Sequence, residues 1–389
     1  MSVSGKVAAA AIACAPLVLT ACQPHDFPQY PANYREFAYV TNQGSATVTV
    51  LDVVNVRLDR ELPVAPNPVA VAASPTRNEV YVLNAGMQPG QGSISVIDTE
   101  HNALAATIAV GRDPDSIDVD TNGKLAYVAN RGSNSVTVVD LEARRAKAQI
   151  GVGEEPDAAS LSPDGKTLVV ANRGGNSVTL IDAETATLRT VIEGCPGAVS
   201  PVILPDSSKA FVACSGGHQV MAIALARSQH ATDSQPATSD KLEALMDVGR
   251  APVHLALKPD GGEVFVSNSL SDSVSEIYAT TDEVGDTYMI GEDPVMGLAS
   301  RDNALLYEAN LHSPYITVYS IDDGKRIGKV NVGDGPTAMA FSDAGHLLFV
   351  VDSRSDDVAV VRTATRSLFT MLPAGRNPGA IAVKAFRVK

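Results

Sequence analysis

Two cysteines and three histidines are the side chains of this sequence best suited to redox chemistry or metal binding. Cys214 is followed closely by His218, and Cys195, His254 and His312 complete the set. Neutral imidazoles of this kind suit zinc, copper or a haem iron. A second group is acidic: Asp113, Asp115, Glu154, Glu155 and Asp157 could supply the general acid and base of a hydrolase. Arg112, Arg131, Arg173, Arg250, Arg354 and Arg376 would set positive charge beside them. "DVDTNG" (118–123) opens like a calcium loop, but Ala129 stands where the closing carboxylate belongs, and an Asn-Gly turn accounts for it. No GxSxG, HExxH, CxxCH or phosphate loop occurs.

The N-terminus sets the compartment. "MSVSGKVAAAAIACAPLVLTAC" has one Lys, an apolar run and the end Leu19-Thr20-Ala21-Cys22. This predicts a secretory signal over 1–21, too short to span a bilayer. The end resembles the bacterial lipobox, which implies lipidation of Cys22, and Gln23 implies outer-membrane sorting. Residues 22–36 then read as a lipidated, proline-containing tether and 37–389 as one folded domain. With Cys14 in the signal and Cys22 lipidated, Cys195 and Cys214 remain as a pair in an oxidising compartment, which favours a disulfide. A net charge of −14 disfavours nucleic acid as a partner and leaves the lipid as the only membrane contact.

What must position these residues is a repeat. "YVTN" (39–42) returns as "YVLN" (81–84), "YVAN" (127–130), "VVAN" (169–172), "FVAC" (211–214), "FVSN" (265–268), "YEAN" (307–310) and "FVVD" (349–352), mostly 42 residues apart. Each unit holds four short β-prone runs, with Asn-Gly or Asp-Gly turns between the first two. Four-stranded sheets of this size bury their faces by stacking around an axis, which predicts an all-β propeller. The repeat resembles the YVTN family of β-propeller proteins, named for the tetrad at 39–42. The absence of Trp rules out a WD-type propeller.

The first unit starts with its second strand, and the chain ends on an unpaired inner strand, "GRNPGAIAVKAF" (375–386). Joining the two closes a ring of eight blades, with seven, common in the family, as the alternative. The loops entering the inner strands and those joining second to third strands then share one upper rim. That rim gathers the acidic and arginine residues above, with His218, His254 and His312 in blades five, six and seven. Cys195 and Cys214 fall at the upper end of neighbouring strands in blade five. The expected role is a monomeric, cofactor-free binding or scaffold module for an envelope protein, peptide or glycan, with no catalytic residue assigned. A haem- or metal-binding periplasmic protein is the first alternative, since the chain resembles haem-d1-binding propellers in blade count and compartment. A lactonase-like hydrolase is the second.

Overall fold

Alternation of β-branched and small residues, cut every few positions by Gly, Asn or Asp, leaves the chain few options other than short strands. The computed structural model describes residues 28–87, 90–226 and 239–388. Cys22 and the predicted signal lie outside them, as does most of the insertion at 227–241. The described residues form 32 strands and two single-turn 3-10 helices.

Blade three shows how one unit is built. Its strands are Pro114–Val119, Leu125–Asn130, Ser135–Asp140 and Arg145–Gly151. Gly123, at φ +68°, makes the tight turn between the first two. The second and third strands are almost wholly buried, whereas the outermost is mostly exposed. Eight such antiparallel four-stranded sheets follow one another in sequence order.

Blade one is assembled from both ends of the chain. Tyr34–Asn42, Thr47–Asp52 and Arg57–Pro63 receive their inner strand from Pro378–Arg387. The pairing runs from Tyr34↔Arg387 through Val40↔Ile381 and, after a register shift, to Asn42↔Pro378. Every apolar cluster then sits between two blades. Tyr81, Leu83 and Ile94 of blade two, for example, pack on Ala126 and Val128 of blade three. Closure therefore leaves no blade with a bare face, which a linear stack of these sheets could not achieve.

The repeated Asn has a structural task. In blade four, Asn172 donates through Nδ2 to Ser177 Oγ (3.2 Å) and Thr179 Oγ1 (2.8 Å) of the third strand. Asn42, Asn130 and Asn268 bond Ser or Thr at the same two positions. Close above each lies a glycine of the next inner-strand loop. A Cβ on Gly111, Gly153, Gly249, Gly291 or Gly375 would fall 2.4–2.7 Å from the side chain of Asn130, Asn172, Asn268, Asn310 or Asn42. Blade five changes both members of this contact together. Cys195 stands in the glycine position and Cys214 in the Asn position, and they form a disulfide with a Cα–Cα distance of 4.8 Å. The inner strand itself starts at Ala198, so Cys195 belongs to the loop before it.

Candidate functional site

The upper mouth of the ring is where charge and burial meet. In blades two, three, four, six, seven and eight the inner strand begins with a register shift against its neighbour, a β-bulge that frees one residue from pairing. In blades three and four that residue is Asp115 and Asp157, which the bulge turns out of the sheet ladder. At the same point blades two, six and seven carry Val69, Val253 and Val295. Two acids in adjacent blades thus interrupt a largely apolar ring.

Burial raises the pKa of Asp115, with Arg131 opposing the rise. Asp157 is pushed up to about 6, chiefly by burial and then by the neighbouring Asp115 charge, against the pull of Arg173. Arg173 Nη1 lies 3.5 Å from Asp157 Oδ1. Arg131 reaches Asp113 Oδ2 at 3.3 Å through Nε and Asp115 Oδ2 at 4.0 Å through Nη1. The set is a pair of coupled carboxyl groups, one titrating near pH 6, between two exposed guanidinium groups. Such a set can bind a ligand carrying both charge signs or shuttle a proton.

The other predicted rim residues separate by role. Asp113 and Glu155 occupy left-handed backbone at the loop before the bulge, as do Asn67, Asp293 and Asn377 in their blades. Their residue types therefore answer first to turn geometry. Glu154 and Arg112 are exposed neighbours of that turn. Arg250 donates to the Leu270 carbonyl (2.7 Å), Arg354 lies 3.9 Å from Asp334, and Arg376 is exposed above Gly44. In the 118–123 turn, Asp118 accepts the N–H groups of Val119 and Leu161 and Asp120 those of Lys124 and Leu125. These carboxylates serve the backbone.

The three rim histidines are not gathered into one site. His218 has φ +57° and its Nδ1 accepts the Ala251 N–H at 3.2 Å. Asn134 and Asn176 do the same in their blades through Oδ1, so His218 acts as a turn-capping acceptor. His254 Nδ1 accepts the Gly297 N–H at 3.3 Å, and burial lowers its pKa to about 4. A neutral ring accepting at Nδ1 carries its proton on Nε2, so its lone pair is already in use. His312 Nδ1 pairs with Asp293 Oδ2 at 3.0 Å. Among the described residues no three His, Cys, Asp or Glu side chains lie close enough to hold a metal ion. The donor set does not fit a metal or haem iron bound jointly by these imidazoles.

Two buried acids escaped the sequence reading although both stand inside the tetrads. Glu308 of "YEAN" replaces a core Val, is fully buried and is pushed up to about 8 by burial. Gly297 beside it makes the room: a Cβ there would lie 2.7 Å from Glu308 Oε2. Asp352 of "FVVD" takes the place of Asn and faces Asp357 across the strand pair. The signal for each was a charged residue in an otherwise uncharged tetrad.

No protein-family model matches the chain. The YncE proteins of Salmonella typhi and Salmonella typhimurium, described only as uncharacterized, are 34% identical to it over 92 residues. That match covers 24% of this chain and 25% of each relative, so the chain spans about a quarter of the length of the curated relatives it matches. Among solved structures, the dihydro-haem d1 dehydrogenase NirN superposes with a TM-score of 0.71 at 14% identity, over 94% of this chain and 78% of that one. AztD of Citrobacter koseri gives 0.67 at 11% identity over 92% and 99%, and a candidate 6-phosphogluconolactonase of Bacteroides uniformis 0.62 at 15% over 90% and 100%. At these identities the structures share the fold alone. Tetrad, register and ring closure together make the chain an eight-bladed β-propeller, similar over 92 residues to the YncE proteins.

Proposed function

We propose that the protein is a binding module whose upper mouth receives a protein or peptide segment in the cell envelope. One observation carries this reading: Asp115 and Asp157, freed from the ladder in adjacent blades, stand coupled between Arg131 and Arg173. The bulge residues of the mouth include no aromatic ring on which a sugar could stack, which favours a peptide over a glycan. Capture of partners by photocrosslinking in intact envelopes tests it. The double variant Asp115→Asn/Asp157→Asn should cut capture at least about tenfold, a loss of ~1.4 kcal/mol. Capture by the wild type should also weaken as pH falls through about 6, where Asp157 gains its proton. Unchanged capture by the double variant would sink the proposal.

The same acid pair favours a second reading, a hydrolase in which Asp157 exchanges a proton near pH 6 beside the Asp115 carboxyl. Turnover of simple lactones that disappears in Asp157→Asn would support it, and its absence in the wild type would refute it.

We also propose that Cys22 anchors the ring to the outer membrane. The tether side of the chain leaves from the lower face, where Tyr30 stacks on Tyr34 and its hydroxyl meets His346 Nε2 at 3.3 Å. The mouth would then face away from the membrane. Cys22→Ala should move the protein to the soluble fraction, and unchanged partitioning would refute the anchor.

A further inference from the structure

The repeats act as controls for one another, and one lower-face contact recurs with a piece missing. Between blades two and three, Glu79 accepts the Tyr81 hydroxyl at 2.8 Å and the Arg144 guanidinium at 2.9 Å. Tyr81 sits in the second strand Glu79–Asn84. Arg144 sits in the next blade, in left-handed backbone just before the outer strand. A tyrosine, an arginine and the carboxylate between them thus close that seam.

Blades seven and eight keep the tyrosine and the arginine. Tyr307 holds the place of Tyr81 in Leu305–Asn310, and Arg366, at φ +51° before Ser367, holds that of Arg144. The Arg366 charge acts on Tyr307, as expected for groups at close range. The carboxylate is gone, because Leu305 stands where Glu79 does. Among the described residues, Tyr307 makes a ring contact with Phe341 but no hydrogen bond through its hydroxyl, and Arg366 forms no ion pair. A cavity of about 430 Å³ opens at this point. Leu305, Tyr307 and Phe341 give it an apolar wall, and Arg301 and Arg366 line it.

We propose that this lower-face cavity binds a small organic carboxylate with an apolar body. The ligand's carboxylate takes the place that Glu79 fills between blades two and three, accepting from the Tyr307 hydroxyl and the Arg366 guanidinium. Its apolar part lies on Leu305 and Phe341. Charge complementarity supports an anion: two guanidinium groups line the cavity against one carboxylate, Asp302, and since Arg301 Nη1 already donates to the Asp343 carbonyl, Arg366 is the group left to meet the ligand. Asp302 is turned into its own loop, accepting the Ser300 hydroxyl at 2.5 Å and the Ala304 N–H at 3.2 Å, so its charge is held by local donors. The Arg366 guanidinium can only donate, and the Tyr307 hydroxyl can donate beside it, which favours a carboxylate over a cationic amine. The volume lies within the range of small-molecule sites. This site is on the face opposite the mouth, so its fate is independent of the binding reading above.

The test is calorimetric titration of the folded protein with phenylbutyrate and octanoate, with phenylbutyramide as the uncharged control. The carboxylates should bind at least about tenfold more tightly than the amide, and Arg366→Gln should remove that difference. Leu305→Glu reinstates the missing carboxylate within the chain. It should abolish binding and raise the unfolding midpoint by about 1–2 °C, the shift that ~1 kcal/mol brings in a domain of this size. Arg366→Gln in that background should cancel the rise. The proposal is overturned if neither carboxylate binds the wild type, if Leu305→Glu still binds them, or if Leu305→Glu lowers the midpoint.

Discussion

Reduction of the Cys195–Cys214 bridge is expected to cost about 2–4 kcal/mol of stability, read as a fall in the denaturant midpoint with added thiol. The bridged residues lie 19 apart in sequence, and both are fully buried. Antiparallel pairing of Ala198 with Cys214 already holds the loop, so the lower half of that range is expected. A sharper expectation comes from the sibling blades. Cys195→Gly/Cys214→Asn recreates the glycine–asparagine contact, yet it should stay destabilised. The Asn of blade four relies on Ser177 and Thr179, whereas blade five offers Gln219 and Met221 at those positions. A buried Nδ2 facing Met221 lacks the hydroxyl acceptor and keeps only a backbone carbonyl such as Val212 O, at a cost of about 1 kcal/mol. Adding Met221→Thr should recover most of that loss and leave a protein indifferent to reductant. Full recovery by the double variant alone would show that the hydroxyl ladder does not explain the exchange of Asn for Cys. Intact thiol labelling before reduction would show that the bridge is not formed.

Asp352→Asn should stabilise the protein at neutral and mildly alkaline pH. Asp352 is fully buried, and its Oδ2 accepts the Gly333 N–H at 2.9 Å. Blade eight has Ala359 where every blade but five and eight carries the second hydroxyl, so the carboxyl supplies an acceptor that Thr49 provides to Gly375 in blade one. Its other oxygen meets no donor, and Asp357 faces it as a second carboxyl. Two carboxyl groups at this range share a proton. Burial, above all, pushes Asp352 up to about 8, and the Asp357 charge adds to the rise, while Asp357 is raised as well. Asp356, Asp334 and Arg354 are the other charged groups of these loops, and the Asp356 charge raises Asp357 further. A folded-state value above the unfolded one means that the native protein holds a proton the unfolded chain releases. The stabilising contribution is complete below about pH 4 and is lost as pH rises to about 8. The difference between wild type and Asp352→Asn should therefore open across that window and level off above it, on the order of a few kcal/mol. Asn has the donor and the acceptor at once, which is why the sibling blades need no proton. A pH-independent difference would refute the shared proton.

Blade architecture was legible because it is a local, repeated property. Strand alternation, turn residues and the 42-residue period each act over a few neighbours, and their sum admits only stacked four-stranded units. The unpaired ends of the chain even indicated how the ring closes, as the pairing of 34–42 with 378–387 shows. The cysteines were equally legible, since neighbouring strands bring both to the same end of blade five.

The site was legible only in outline. Loop positions placed Asp113, Asp115, Glu155 and Asp157 on one rim but could not rank them. The tertiary structure separates them, because a left-handed turn claims Asp113 and Glu155 while the following bulge releases Asp115 and Asp157. His218 and His254 looked alike as imidazoles, yet each is consumed by a backbone N–H from the next blade. Glu308 and Asp352 owe their raised pKa values to burial, and burial exists only when blades distant in sequence meet. By itself, then, the sequence determined the strands, the ring and the bridge, all products of short-range pattern. Protonation, hydrogen-bond partners and the empty carboxylate position beside Tyr307 were decided by the seams between blades. There, residues about one repeat apart share a dielectric and a set of donors that neither repeat contains alone.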